Sequence, residues 1–311
     1  MRGVVPKRLI VTADDFGLAV PVNEAVERGH LNGILTSASL MVTASAAADA
    51  VERARRLPRL GVGLHLVLVD GRPALPPERI PDLVGADGRF PSDPIRLGAR
   101  IFFSRRARSQ AADEIRAQLT AFRGTGLRLD HVDGHHHFHL HPTVQAILVR
   151  LAREFGIAAM RVPHEPAVVR RQDGVGKRMQ DWLAAFPMRH RAPAMKRRLA
   201  HAGILFNDAI LGLADSGRLD PTRTRELLAA LPDGITELYF HPATRRWGDI
   251  DPLPESYRPE AELAALVDPS VRAVVEASGA VLATFGDLVN LWEGASVEAA
   301  PAGARLSGIR S

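Results

Sequence analysis

Cysteine is absent from all 311 residues. That excludes disulfides, iron–sulfur clusters and thiolate zinc sites, so any metal must be held by nitrogen and oxygen. Aromatic residues are scarce, at 5% of the chain. Two arginine-rich segments, 96–108 and 170–198, carry few interleaved aromatic side chains of the kind a nucleic-acid surface uses for stacking, and no nucleic-acid-binding motif accompanies them. Long apolar runs are missing too. The first one stops at Asp14, too early for a signal peptide or a membrane span, which reads as a cytoplasmic protein. Neither a sequence repeat nor an internal linker interrupts residues 1–293, so one domain is expected, followed by a small-residue, disordered tail over 294–311.

What the chain does have is histidine, in one place. Six of its twelve histidines lie between His131 and His141, in a run that also holds Asp130 and Asp133. Imidazole is the commonest protein ligand for a borderline metal, and the run is internal, so it is not a terminal tag. The remaining charge is ordinary. The formal net charge of +5 comes largely from the two arginine segments, and in the first of them Arg96, Arg100, Arg105, Arg106 and Arg108 surround Ile101, Phe102 and Phe103. A basic apolar surface of this kind fits peripheral contact with an anionic membrane, and a solvated helix face fits it as well.

Short apolar, partly β-branched runs at 7–13, 39–43, 61–68, 127–133, 158–163, 235–240 and 281–285 read as strands. Between them the pattern turns helical, as at 21–30, 46–56, 111–123, 221–231 and 259–278. The stretch 142–155 has Pro142 in its first turn and Gly156 as its stop. Residues 70–94 read as a long loop, of a length that is often functional. Strands alternating with helices predict the α/β class and a mostly parallel sheet. Seven to eight such units fit a single-domain (β/α) barrel, closed or nearly so.

In such a barrel the chemistry sits at the C-terminal ends of the strands. Asp14 and Asp15 end the first strand, His65 lies late in another, Asp133 and His135 end the histidine-run strand, and His241 ends a later one. Taken singly, each has a bland explanation as a turn, core or loop residue. Together they form a set. One carboxylate with two imidazoles is a common catalytic-metal triad, a second carboxylate suits a general base, and a histidine from another strand suits a general acid. The same set would serve phosphoester cleavage, or binding of a metal or lipid headgroup without catalysis. Glycosidic cleavage fits worse, because adjacent Asp14 and Asp15 do not face each other across a sugar ring.

Four motifs occur in order: Thr12-Ala13-Asp14-Asp15-Phe16-Gly17, Gly63-Leu64-His65-Leu66, the run from His131 to His139, and His241-Pro242. Jointly they resemble the YdjC-like carbohydrate deacetylases, over roughly residues 7–290. The resemblance implies an irregular β/α barrel and one divalent metal ion; nitrogen and oxygen ligands suit zinc first, but also cobalt, nickel and manganese, and magnesium with fewer nitrogens. It implies Asp15, His65 and His135 as metal ligands, Asp14 as catalytic base and His241 as general acid. His131, Asp133, His137, His139 and Arg161 would surround the ligands or the substrate. The implied reaction removes an acetyl group from an N-acetylated sugar, and the implied partner is an oligosaccharide or glycolipid. The arginine-rich 170–198 segment and the patch around Phe102 resemble the hopanoid-biosynthesis-associated branch, which implies an N-acetylglucosaminyl hopanoid and an enzyme resting on the inner membrane face. A homodimer is compatible with everything above.

Overall fold

A parallel strand covered on both faces reads as a nearly continuous apolar run, and β1, Arg8–Phe16, is buried along all but its first residue. In the computed structural model, which describes residues 6–166, 191–248 and 253–299, this strand is the centre of the sheet. One edge of β1 pairs with β6, Ile235–Phe240, in register from Arg8 opposite Ile235 to Ala13 opposite Phe240. Its other edge is shared. β7, Val281–Leu282, pairs with Arg8 and Leu9, while β2, Ser37–Leu40, pairs with the C-terminal half. Beyond β2 lie β3, Gly61–Leu66, and β4, Val132–Gly134, and beyond β6 lies β5, Ala209–Leu211.

Every strand pair is parallel, and the sheet curls into a half-barrel. Across the open side, two isolated parallel bridges, Val132 to Met160 and Ala159 to Leu205, continue from β4 towards the segment that leads into β5. The expected strand at 158–163 is thus present only as single bridges. Pairing there is broken because Val162 exchanges its backbone bonds with the side chain of Asn207 rather than with a neighbouring strand. The expected α/β barrel architecture holds, with seven strands among the described residues.

Helix boundaries follow local chemistry. The helix Pro142–Phe155 starts on a proline and ends at Gly156, whose φ of 70° is the left-handed conformation that favours glycine. The first basic segment, read as a membrane-contacting surface or a solvated helix face, is helical. Asp93 caps Pro94–Phe103 by accepting from the backbone of Ile95 and Arg96, and Ser104 then caps Arg105–Gly124. This second helix begins earlier than the pattern at 111–123 predicts, since its first turns carry arginines instead of an apolar stripe. Its inner face fastens the long 70–94 loop. Glu114 accepts from the backbone of Ala74 and Leu75, Gln110 from Asp82, and Gln118 bonds both backbone groups of Val67.

The N-terminal end of the barrel is sealed by the close of the chain. Phe285, Leu288 and Val289 pack with Ile10, Ala159 and Ala283 in a buried cluster. The helix Phe285–Ala299 that supplies them runs on past 293. Residues 170–190 of the basic segment and 300–311 of the expected tail lie outside the described residues, and 191–201 are helical.

Candidate metal centre and active site

Strict alternation along a strand would send Asp14 and Asp15 to opposite faces. The structure avoids this with a register shift between Ala13 and Phe16 and a φ of 62° at Asp15. Left-handed backbone at a non-glycine residue costs roughly 1–3 kcal/mol and collects at functional sites. Here it brings two neighbouring carboxylates, both buried, to the same histidine, His65. The histidine run uses the same device. His136 and His137 both adopt left-handed angles, so His135 turns inward to Asp15, His136 outward to within 3.6 Å of Asp70, and His137 towards the ring of Tyr239.

The three residues expected as metal ligands come together. Asp15 Oδ1 lies 3.3 Å from His65 Nε2 and 3.1 Å from His135 Nδ1. Yet this buried oxygen accepts no hydrogen bond among the described residues. Donor atoms this close, with no hydrogen bond made between them, can be shared by one cation. In a tetrahedral site with bonds of about 2.0–2.1 Å, ligand atoms stand about 3.3–3.4 Å apart. The second ring nitrogen agrees: His65 Nδ1–H donates to Asp133 at 2.8 Å, so Nε2, which faces Asp15, is the nitrogen a metal ion would take in place of a proton. Burial works against a charge on Asp15, but His135 and His65 overcome it and hold the carboxyl well below its ordinary value.

Charge balance points the same way. Asp14, Asp15, Asp133 and Glu237 are all buried, and the buried side chain that answers them with a permanent positive charge is Arg161. Arg161 grips both oxygens of Asp14 at 2.7 Å, reaches Asp133 at 2.8 Å, and gives two hydrogen bonds to Glu237 Oε1. One guanidinium against four carboxylates leaves a deficit that a divalent cation would reduce. The donor set and its charge therefore fit a metal ion.

His241 arrives from the end of β6 and stands in an aromatic wall, 5.5 Å from the ring of Tyr239 and 5.0 Å from that of Tyr257. Burial lowers its pKa against the pull of Asp15 and Asp14, and its Nδ1 has no hydrogen-bond partner among the described residues. The backbone N–H of His241 is held by Glu262, whose carboxyl also accepts from Leu219 at 3.0 Å. Burial pushes this carboxyl up to about 8.

The expected surrounding residues separate into two groups. Asp133 and Arg161 touch the ligands or the base directly. His131, His137 and His139 do not. His131 lies deeper in the barrel, His137 lines the wall beside Tyr239, and His139 donates through Nε2 to the backbone oxygen of Arg161 at 3.1 Å. Sequence reasoning missed Ser39, Glu237, Tyr239 and Glu262. Glu237 did carry a signal, as a lone carboxylate inside the apolar strand Ile235–Phe240.

The description YdjC-like protein matches residues 8–277. The chain is 32% identical over 292 residues to a carbohydrate deacetylase of Geobacillus stearothermophilus, covering 92% of this chain and all of that one. It is likewise 32% identical to a human carbohydrate deacetylase, covering 94% and 95% of the two chains. A carbohydrate deacetylase of Brevibacillus brevis is 41% identical over 150 residues, a match that spans 57% of that protein. The fold is shared with a crystal structure from Enterococcus faecalis, provisionally described as a cellobiose-phosphate cleavage protein. The TM-score is 0.69 at 23% identity, over 91% of this chain and 99% of that one. A match of that extent, together with two relatives aligned over nearly their full length, makes this chain a member of the YdjC-like protein family.

Proposed function

We propose that the protein is a metal-dependent carbohydrate N-deacetylase. The observation that carries this reading is the convergence of Asp15, His65 and His135 on one point beside an arginine-clamped second carboxylate. A divalent ion held there, zinc by first preference for two nitrogens and an oxygen, would supply Lewis acidity towards a water and a carbonyl oxygen. The chain's own residues do the rest. Arg161 fixes both oxygens of Asp14, so the carboxylate is oriented to take a proton from the attacking water. The water oxygen bonds to the acetyl carbon and the carbon–nitrogen bond breaks. His241, once protonated, gives its proton to the departing amine, and an imidazole disfavoured as a cation by burial is a strong acid in that state. The products are acetate and a free amino sugar.

The substrate we infer is a glycolipid, an N-acetylglucosaminyl hopanoid, met by a cytoplasmic enzyme resting on the inner membrane face. No described helix is long and apolar enough to cross a membrane, so contact would be peripheral. Support for the lipid comes from the helix Pro94–Phe103, where Ile95 is 83% exposed, Phe103 81% and Phe102 48%. Arg96, Arg100, Arg105, Arg106 and Arg108 are exposed around them. Gly98 on the inner side of this helix lies against His141, which puts the patch beside the histidine run. The protein is expected to co-sediment with anionic liposomes and to be released as salt rises. Equal binding to neutral vesicles, or no binding, would remove the membrane from this reading.

The decisive measurement is acetate release by the zinc-loaded protein from N-acetylglucosaminyl hopanoid and from N-acetylated chitobiose. Release from the lipid supports both levels of the proposal. Release from chitobiose alone keeps the deacetylase and discards the hopanoid, and no acetate from either discards the deacetylase.

A further inference from the structure

Below the ligand triad runs a buried chain of hydrogen bonds that the reaction just described does not use. It begins at the floor of the barrel, where the backbone N–H of Gly286 donates to Asp130 Oδ1 at 2.7 Å. Asp130 Oδ2 pairs with His131 Nδ1 at 2.9 Å, and His131 Nε2 meets Ser39 Oγ at 3.0 Å. Ser39 Oγ donates to Asp133 Oδ2 at 2.8 Å, and Asp133 Oδ1 accepts from His65 Nδ1 at 2.8 Å. His65 then presents Nε2 to the metal position. Ser39, Asp133, His131 and His65 are all buried.

The protons in this chain can be assigned. Asp133 also accepts from Arg161 at 2.8 Å, so its two oxygens already face three donors, Ser39, His65 and Arg161. Asp133 is therefore an acceptor only, and the single hydroxyl proton of Ser39 is committed to it. His131 Nε2 must then donate to Ser39. Its Nδ1 donates to Asp130, so His131 is an imidazolium. Burial opposes that charge, but Asp130, with help from Asp133 and Glu237, prevails and raises its pKa. The ring has no freedom to turn away: a methyl group on Gly63 would come within 2.5 Å of its Nε2 and Cε1, and the Phe285 ring covers it at 4.8 Å between centroids.

We propose that Ser39 is a positioning residue for the metal centre: its hydroxyl couples the His131–Asp130 ion pair at the barrel floor, through Asp133, to the ligand His65, and thereby sets the affinity for the metal. The inference rests on the ligand set assigned above. Without the hydroxyl, Asp133 Oδ2 keeps only Arg161, and the carboxylate is free to swing towards the guanidinium and away from His65. His131 in turn loses its acceptor in a place water does not reach.

The test is zinc affinity by chelator competition for wild type, Ser39→Ala, His131→Gln and the double variant, with melting of each zinc-free protein alongside. Outer partners of metal ligands are typically worth about 10- to 100-fold in affinity, and Ser39→Ala is expected to weaken zinc by that amount. His131→Gln leaves an N–H to face Ser39 but removes the positive charge, and it is expected to weaken zinc less. In the double variant the losses should not add, because both changes cut one chain. Cobalt(II) in place of zinc gives a visible spectrum that reports ligand geometry, and Ser39→Ala should shift it. Unchanged zinc affinity in a folded Ser39→Ala protein overturns the proposal, as do strictly additive losses. Should Ser39→Ala fail to fold, an unshifted cobalt spectrum and unchanged affinity in His131→Gln overturn it instead. If the wild type itself binds no zinc, the ligand assignment falls, a result distinct from wild-type binding that Ser39→Ala leaves untouched.

Discussion

Asp14→Asn is expected to lower acetate release by about 10²–10⁴-fold, the usual worth of a positioned general base, while zinc remains bound. The two effects separate because Asp14 is not among the three atoms that face each other across the metal position. Both its oxygens are occupied by Arg161 instead. The amide keeps the size and one acceptor of the carboxylate but cannot hold the water's proton. Acetate release and zinc affinity measured on the same preparation check this. A variant as active as wild type would remove Asp14 from the proton transfer, and a variant that loses zinc would make it a ligand.

Arg161→Met is expected to cost about 3–5 kcal/mol or more in urea unfolding, the range for breaking a buried ion pair from one side. Arg161 is fully buried and answers three carboxylates at once, so its loss leaves Asp14, Asp133 and Glu237 facing one another without compensation. The pH dependence has a definite sign. Burial would raise the Asp133 carboxyl, and Arg161 is the largest influence in the other direction, holding it well below 3.8. A carboxyl with a depressed pKa contributes stability above its unfolded value and loses it as pH falls through the folded one. The gap between wild type and variant should therefore stand in full at neutral pH and narrow as the solution is acidified below the ordinary aspartate range. A loss under about 1 kcal/mol would place Arg161 with surface ion pairs in its energetics.

The four motifs were legible because each ends a strand or begins the turn after one, where chemistry-bearing side chains accumulate in this architecture. The choice of His135 within the histidine run rested on the family pattern, while Asp14, Asp15, His65 and His241 could be singled out as candidates from that placement. Their geometry could not. The left-handed turns at Asp15, His136 and His137 are tertiary decisions, and nothing in three consecutive histidines says which of them faces inward. Ser39 was hidden because a serine in the strand Ser37–Leu40 is unremarked without its neighbours. Its importance depends on His131, 92 residues later in the chain. The same pairing explains why the third strand carries Gly63 two residues before its histidine: the His131 ring occupies the space a side chain would need. Among secondary elements, the bounds of the helix Pro94–Phe103 were concealed by its arginines, whereas Pro142 and Gly156 marked theirs plainly.

The shared edge of β1 carries a consequence for how the chain acquires its structure in time. β1 precedes the other described strands in the sequence and cannot be completed by its own neighbourhood, because two of its three partners are the last two described strands of the sheet, at Ile235–Phe240 and Val281–Leu282. Closing loops of that length is slow, and an apolar strand waiting for its partners is a target for wrong pairing. The same late segment delivers Phe285 onto His131, so the floor of the barrel and the buried ion pair above it are finished in one event. Truncation before Phe285 should therefore yield a chain dependent on chaperones and prone to aggregate, even though every residue of the proposed metal site has already been synthesised.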